Sequence, residues 1–366
     1  MHEAFFIYPI FALMNNVDYI IVGCGLAGIA FCEQLREHKK SFLVFEDASQ
    51  QASKVAVGLY NPVVLRRFTK VWKADEQLKI ALPKYKTLEN LLNVRLVHKL
   101  PIYRKFSSVE EQNQWFTATD KPSLEDYMSA NIIKNSNPKI KASYGFGEVL
   151  QTGRIDTGKL IIHYRKFLEN NNLLIREPFQ HRALEIADNF IKYKGITSKY
   201  IVFAEGFGMV SNPYFKALPL SSVKGEIITI KAPELKMDFI LKSSVFIAPI
   251  KADEYAVGAT YNWEDKTNAI TEEAKHELIN KLQGIIMCDF ETVDQVAGIR
   301  PTVRDRRPLV GRHPKYDNLF VLNGLGTRGV MIAPFVAEQL YNFIENGVSL
   351  NKEIDIKRFN SLLLKD

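Results

Sequence analysis

The chain has 366 residues, and 48 Lys and Arg against 41 Asp and Glu give it a formal net charge of +7. With 46% hydrophobic and 24% charged residues, it has the composition of a folded globular protein, which excludes a disordered, collagen-like or coiled-coil chain. The length predicts two domains of about 150 residues, and the positive charge permits an anionic substrate or nucleic acid without establishing either.

The three cysteines, Cys24, Cys32 and Cys288, form no CxxC pair and no even-numbered framework. They predict a reducing, cytoplasmic compartment and no metal site. The longest apolar stretch, residues 4–14, contains a proline and is far shorter than the ~20 residues that cross a bilayer. We therefore expect no membrane span, and we treat residues 1–13 as a leader outside the fold.

The first predicted unit, residues 17–47, is a strand, a helix and a second strand. The first strand leads into Gly23-Cys24-Gly25-Leu26-Ala27-Gly28, and the second ends at Glu46 and Asp47. In such a unit the glycines allow a tight turn, close approach of the backbone to a pyrophosphate and close helix packing, while the helix N-terminus offers free N–H groups to the anion. Glu46, or failing it Asp47, would accept a hydrogen bond from a ribose hydroxyl. The unit predicts a dinucleotide site.

The later elements alternate between two patterns. Residues 80–140 are rich in Lys, Glu and Asn and are expected to be helical or irregular. Apolar periodicity then predicts helices over 155–168, 270–282 and 332–345, and strands over 173–175, 190–193, 200–204, 225–230, 244–249, 255–260 and 319–322. The run of strands between residues 222 and 261 indicates an antiparallel sheet.

The most specific motifs lie near the C-terminus. They are Ala297-Gly298-Ile299-Arg300-Pro301-Thr302 and Asn323-Gly324-Leu325-Gly326-Thr327-Arg328-Gly329-Val330. With the N-terminal unit, the loop 52–59, Lys224-Gly225-Glu226 and Val257-Gly258-Ala259-Thr260, they resemble the FAD-dependent D-amino acid oxidase superfamily, which includes glycine oxidase and sarcosine oxidase. Within it, Leu325-Gly326-Thr327-Arg328-Gly329 and Lys224-Gly225-Glu226 resemble the oxidase module of the bifunctional bacterial enzyme that completes the wobble-uridine side chain of tRNA.

This resemblance implies α/β plus α+β architecture, with a Rossmann-type FAD-binding domain and a substrate domain built on a mainly antiparallel sheet. The expected FAD-binding domain is discontinuous and consists of residues 14–80, 145–215 and 295–366. The expected substrate domain consists of the two segments between them, residues 81–144 and 216–294. Sarcosine oxidases tether their flavin through a cysteine in the region that follows Gly298. Since no cysteine follows Cys288 in this chain, we expect FAD to be bound non-covalently.

The resemblance also assigns the cofactor residues. They are Gly23, Gly25, Leu26, Ala27, Gly28, Glu46, Asp47, Ser53, Gly58, Leu59, Ala204, Gly206, Arg300, Gly326, Thr327, Arg328, Gly329 and Val330. A helix beginning after the second glycine loop would direct N–H groups at the flavin ring. The alternative is that this loop is only a left-handed turn that ends a strand.

Arg300 is the expected substrate residue, because its planar guanidinium matches a carboxylate with two parallel hydrogen bonds. The alternative is a structural role, with Arg300 tying down its loop through Asp305 or a carbonyl group. Arg328 is the next candidate for the carboxylate. Phe246 stands where several family members have a tyrosine that contacts the substrate.

The main functional hypothesis is an FAD-dependent oxidase or dehydrogenase. It would oxidise the C–N bond of a small amino acid or carboxylate-bearing secondary amine by hydride transfer to the flavin. The first alternative is a tRNA-modifying oxidase that removes a carboxymethyl group from a modified uridine. The second is a flavin-binding protein without turnover. Two basic clusters could guide RNA or could serve as ion-pair partners: Arg66, Arg67, Lys70 and Lys73, and Arg300, Arg304, Arg306, Arg307 and Arg312.

Overall fold

The computed structural model describes residues 15–364, so the leader assigned to residues 1–13 lies outside the described residues. The helices, in chain order, are α1 (Leu26–Glu37), α2 (Ala52–Val55), α3 (Ala74–Leu92), α4 (Val109–Thr119), α5 (Thr157–Asn170), α6 (Glu272–Gln283), α7 (Gly329–Asn346) and α8 (Asn360–Leu363).

The strands fall into two large sheets and two small ones. In chain order they are β1 (Asn16–Val22), β2 (Phe42–Phe45), β3 (Leu59–Tyr60), β4 (Val63–Val64), β5 (Thr69–Lys70), β6 (Val97–Lys99), β7 (Ile102–Lys105), β8 (Met128–Ile133), β9 (Phe146–Val149), β10 (Gly153–Ile155), β11 (Leu174–Ile175), β12 (Glu185–Ile186), β13 (Ile191–Tyr193), β14 (Ile196–Phe203), β15 (Val223–Lys231), β16 (Ile240–Lys242), β17 (Phe246–Lys251), β18 (Glu254–Gly258), β19 (Glu291–Arg300), β20 (Leu309–Arg312) and β21 (Leu319–Asn323).

The first large sheet has a parallel core in the order β11–β2–β1–β14–β21. Parallel strands covered on both faces need continuous apolar runs, and all four residues of β2 are buried. The helices α1 and α7 pack against each other beside this sheet. The carboxyl ends of β1, β14 and β21 therefore meet at one edge, where open α/β sheets bind their ligands.

The second large sheet has the order β19–β15–β18–β17–β16–β7–β9–β8. All of its neighbours are antiparallel except β16 and β7. Helix α6 contributes Leu278 and Leu282 to a core with residues of β15, β17 and β18. The sequence prediction of a Rossmann-type unit combined with a mainly antiparallel sheet is thus confirmed.

Some predicted elements were wrong in detail. The region 80–140 contains three strands, β6, β7 and β8, besides its helices. These strands are short and mostly half-exposed, so they carry too few alternating apolar residues to be recognised. The predicted domain boundary between residues 294 and 295 falls inside β19, a strand that is continuous from Glu291 to Arg300.

Helix α7 begins at Gly329, earlier than the predicted residue 332, and it includes Pro334. Proline removes one backbone donor from the helix and is usually read as a break. Ten side chains of α7 are buried, Val330 and Phe335 among them, and their burial outweighs one missing hydrogen bond. The N-terminus of α7 therefore lies closer to the second glycine loop than the sequence indicates.

Across residues 15–364 the structure has no helix long and apolar enough to cross a membrane. The same residues contain no group of three or more His, Cys, Asp or Glu side chains that could hold a metal ion. Cytoplasmic location and the lack of a metal remain predictions.

Candidate active site

A cleft of about 1170 Å³ opens where the carboxyl ends of the parallel strands face the second large sheet. Pockets for single small molecules reach roughly 1,000 Å³, so this one has room for a dinucleotide together with a substrate. Of the residues predicted from the sequence, only Gly28 does not line it. Those that do are Gly23, Gly25, Leu26, Ala27, Glu46, Asp47, Ser53, Gly58, Leu59, Ala204, Gly206, Phe246, Arg300, Gly326, Thr327, Arg328, Gly329 and Val330.

The turn between β1 and α1 is built to bring an anion close to the backbone. Gly23 has φ of +102°, and a Cβ there would lie 2.5 Å from the carbonyl oxygen of Ala204. A Cβ on Gly28 would lie 2.0 Å from the carbonyl oxygen of Gly23. Gly25 is the N-cap of α1 and offers no side-chain acceptor to the first amides, although Leu26 N donates to Ser53 Oγ at 3.2 Å. This arrangement fits a pyrophosphate at the helix N-terminus.

Glu46 is tied to the same turn. Its carboxylate accepts from Cys24 N at 2.5 Å and from Ala48 N at 2.7 Å, and it forms an ion pair with Arg165 at 3.0 Å. Asp47 is exposed and accepts from a nearby backbone amide. Glu46 is therefore fixed beside the glycines by contacts within the protein, in a position to meet a ribose.

The second glycine loop brings another helix N-terminus to the cleft. Gly326 has φ of +60°, which favours glycine over any residue with a side chain. A Cβ on Gly329 would lie 3.1 Å from Cδ1 of Leu26, so α7 begins next to the start of α1. The N-cap of α7, Arg328, makes no side-chain cap, and the first amides of this helix are available to a ligand.

Arg300 lies across the backbone of β15, the strand paired with its own. A Cβ on Gly225 would lie only 2.0 Å from its Nη2 atom, so glycine makes the space for the guanidinium. Nη1 donates to the carbonyl oxygen of Thr260 at 3.3 Å, and the ring of Tyr261 lies 4.9 Å from the guanidinium carbon. Asp305 instead accepts from Arg358 at 3.1 Å. Of the two structural partners considered for Arg300, a carbonyl group accepts a hydrogen bond from it, whereas Asp305 pairs with Arg358 instead.

Arg300 forms no ion pair with any described residue, and neither do Arg328 and Lys242, which line the same cleft. Burial lowers the pKa of both guanidinium groups. Burial, followed by the charges of Arg328 and Arg104, lowers the pKa of Lys242 to about 8. The inner end of the cleft therefore carries positive charge that the described residues do not neutralise.

Sequence reasoning missed two of the side chains at this end. Tyr261 has 61% of its surface exposed, yet it lines the cleft against Arg300. Lys242 lies with Nζ 4.7 Å from the ring centre of Phe246, the residue that was predicted. Tyr261 directly follows the quoted motif that ends at Thr260, which was a signal that could have been used. Nothing local marks Lys242.

The fold and cleft together define a class: a dinucleotide-binding protein whose cleft runs from a Rossmann glycine turn to a cationic pocket beneath an antiparallel sheet. The chain belongs to the DAO family of FAD-dependent oxidoreductases, whose family model matches residues 18–342. The resemblance inferred from the sequence is confirmed, and so are FAD as the cofactor and the assignment as an enzyme. The separate roles of the cleft residues, and non-covalent attachment, remain predictions.

Glycine oxidase of Bacillus subtilis (strain 168) is 20% identical over 377 residues, which cover 94% of this chain and 95% of that protein. The tRNA 5-methylaminomethyl-2-thiouridine biosynthesis bifunctional protein MnmC of Actinobacillus pleuropneumoniae serotype 5b is 24% identical over 187 residues. That match covers 41% of this chain and 28% of the bifunctional protein, so the aligned segment spans less than a third of it. The solved structure of glycine oxidase from Bacillus cereus has a TM-score of 0.79 at 18% identity, covering 92% of this chain and 99% of that one.

Proposed function

We propose that the protein oxidises the C–N bond of a small amino acid, or of a secondary amine that bears a carboxylate, and that Arg300 holds the carboxylate. The observation that carries this proposal is the guanidinium of Arg300, half-buried in the cleft with one long hydrogen bond to a carbonyl and no carboxylate partner among the described residues. A guanidinium has five N–H donors, and burying it without acceptors is costly. A substrate carboxylate would supply them.

FAD, when bound, accepts the hydride that leaves the carbon next to the nitrogen. The amine also loses a proton, and the resulting imine is hydrolysed by water to a carbonyl compound and an amine or ammonia. The residues of this chain contribute orientation. The fork of Arg300 would fix the substrate at its carboxylate, and Ile227 and Phe246 would form an apolar wall beside the reacting carbon, since both line the cleft.

Anaerobic mixing of the FAD-loaded protein with a panel of amines tests this function. The panel contains glycine, sarcosine, both enantiomers of alanine and proline, and the amines that lack their carboxylates. We expect bleaching of the flavin absorbance near 450 nm by at least one member with a carboxylate and much slower bleaching by its counterpart without one. Bound FAD that no member reduces would contradict the proposal and support a flavin-binding protein without turnover.

The alternative of a tRNA substrate is supported by part of the basic surface. Of the two clusters, Lys70, Lys73, Arg307 and Arg312 form ion pairs with carboxylates, which favours the role of ion-pair partners for them. Arg66, Arg67, Arg304 and Arg306 have no such pair among the described residues, and Arg66 lines the cleft. These four could contact a phosphate backbone.

A tRNA-binding titration at several salt concentrations separates the two substrates. If tRNA is the substrate, affinity should fall steeply and linearly in a plot of log K against log salt, because each neutralised phosphate releases counterions. The joint substitution of Arg66 and Arg67 by Gln should reduce that slope, and substitution of Lys231 and Lys236 by Gln should not. Absence of binding at low salt would remove this alternative.

A further inference from the structure

One row of residues crosses the second large sheet on the face toward the cleft. Ile227 pairs with Gly258, Gly258 with Phe246, Phe246 with Lys242, and Lys242 with Arg104. All five line the cleft. Since side chains alternate between the two faces of a strand, this row lies on a single face, with an apolar middle and a cationic end.

The opposite end of the same face carries Arg300, whose guanidinium lies over Gly225 on β15. The sheet thus presents positive charge at two places with apolar surface between them. At the far end, Arg104 is neutralised by Glu111 at 2.7 Å. Lys242 is not: its Nζ contacts the ring of Phe246 and has no hydrogen bond or ion pair with a described residue. Arg328 lines the same cleft and forms no ion pair with a described residue, and its charge lowers the pKa of Lys242.

The phosphates of FAD do not account for the charge of Lys242. The glycine turn and the N-terminus of α1, where a pyrophosphate fits, belong to the parallel sheet, and Lys242 belongs to the other one. An oxidised flavin ring carries no net charge, and the single negative charge of a reduced ring would neutralise at most one of the two cations, Lys242 and Arg328. A ligand that leaves both Lys242 and Arg328 without an acceptor would keep the cost of burying them.

We infer that the substrate carries a second carboxylate, held by Lys242 together with Arg328, in addition to the carboxylate held by Arg300. This inference rests on the proposed function and narrows it to amino dicarboxylates. Lys242 is then a residue that determines specificity, because it distinguishes a dianionic amine from a monoanionic one.

The spacing of the sheet agrees with such a substrate. Gly225 and Phe246 lie on strands two positions apart, in the order β15–β18–β17, and Phe246 is level with Ile227, two residues along β15 from Gly225. A spacing of ~4.8 Å per strand and ~3.4 Å per residue places the two cationic groups roughly 12 Å apart. Charge-assisted hydrogen bonds of about 3 Å at each end leave roughly 6 Å between the two carboxylates. A small amino dicarboxylate spans that distance, and a monocarboxylic amino acid reaches only one end.

Two pairs of substrates that differ by one carboxylate test the inference in the FAD-loaded protein: iminodiacetate against sarcosine, and D-aspartate against D-alanine. We expect the dianion to have the higher kcat/KM in at least one pair, and Lys242→Met to reduce that ratio at least tenfold. Lys242→Arg, which keeps the charge, should restore most of it. Lys251→Met is the matched control, since Lys251 is an exposed lysine of β17, and it should leave the ratio as it is.

A binding measurement does not depend on turnover. Titration of the holoenzyme with succinate and with butyrate, followed by the change in flavin absorbance, should give a lower Kd for succinate, and Lys242→Met should raise that Kd at least tenfold. If Lys242→Met weakens the binding of succinate and of butyrate equally, or leaves the ratio of kcat/KM for dianion and monoanion unchanged, the second carboxylate subsite is overturned. If no amine reduces the flavin but the Kd of succinate still depends on Lys242, the proposed function fails while the inferred site for a dianion is supported.

Discussion

Gly225→Ala should displace the guanidinium of Arg300, the group that we propose holds the substrate carboxylate, without a direct contact to the substrate. A Cβ on residue 225 would lie 2.0 Å from Nη2 of Arg300, while an ordinary contact begins at 3.4 Å. The guanidinium must therefore move by about 1.4 Å (3.4 minus 2.0). Misplacing a positioning group by about 1 Å costs on the order of 100-fold in rate, so we expect kcat/KM for a carboxylate-bearing amine to fall about 100-fold, or about 2.7 kcal/mol.

Steady-state kinetics of four proteins measure whether Gly225 acts through Arg300. They are the wild type, Gly225→Ala, Arg300→Lys and the double variant. Arg300→Lys keeps the charge and loses the planar fork, which should cost about 10- to 100-fold. Because lysine has no guanidinium to displace, adding Gly225→Ala to Arg300→Lys should cost less than about threefold more, and the two effects should be strongly non-additive.

The flavin content and melting temperature of each variant show whether the fold is intact. Gly284→Ala serves as control, since Gly284 is exposed, has an ordinary φ and would place its Cβ 3.3 Å from the nearest carbonyl, that of Lys281. If the fold decrease in kcat/KM of the double variant equals the product of the fold decreases of the two single variants, Gly225 acts independently of Arg300. That result would refute the reasoning from the contact between them.

Three further predictions concern the cofactor and stability. Glu46→Gln removes the charge that is fixed beside the glycine turn, and the Kd of FAD for the apoprotein, measured by fluorescence quenching, should rise about tenfold; an unchanged Kd would place the ribose elsewhere. Acid precipitation should release all of the flavin into the supernatant, and yellow colour retained in the pellet would contradict non-covalent binding. Burial, followed by the charge of Lys315, lowers the pKa of His313 from 6.5 to about 4, so the neutral ring stabilises the fold above pH 6.5 and this contribution is lost as the pH falls through 4. Relative to His313→Asn, the wild type should lose up to about 3 kcal/mol of unfolding free energy over that range in urea titrations, and parallel curves would show that His313 does not titrate on unfolding.

The nucleotide end of the cleft could be predicted from sequence because it is local. The turn from Gly23 to Gly28 and the acid at residue 46 belong to one strand–helix–strand segment, and their spacing alone indicates what they bind. The structure adds that Glu46 is held by two backbone amides and Arg165. Arg165 lies on α5, far along the chain, and no pattern links it to the turn.

The inner end of the cleft depends on strand register, which the sequence does not reveal. Arg300 could be singled out by its motif, but its contact with Gly225 exists only because β19 pairs with β15 so that Val223 lies opposite Arg300. Lys242 faces the cleft because a three-residue strand, β16, joins Phe246 on one side and Arg104 on the other. A strand this short has no periodicity that could predict its face.

Helix α7 shows how tertiary burial overrides a local signal. Pro334 is a strong breaker by itself, yet the helix runs through it from Gly329 to Asn346 and begins earlier than the predicted residue 332. The packing of Gly329 against Leu26 places the true start beside α1. Two helix N-termini consequently open on the cleft, and this juxtaposition comes from packing between distant segments.

Rapid mixing under anaerobic conditions tests most directly whether Arg300 recognises a substrate carboxylate. The rate constant of flavin reduction is measured for the fastest amino acid of the panel and for its analogue with a methyl group in place of the carboxylate, in the wild type and in Arg300→Leu. We expect the wild type to favour the amino acid by at least about 100-fold and Arg300→Leu to favour it by no more than a few fold, with flavin content unchanged. An equal preference in both proteins would contradict the account, because the carboxylate would then be held by a residue other than Arg300.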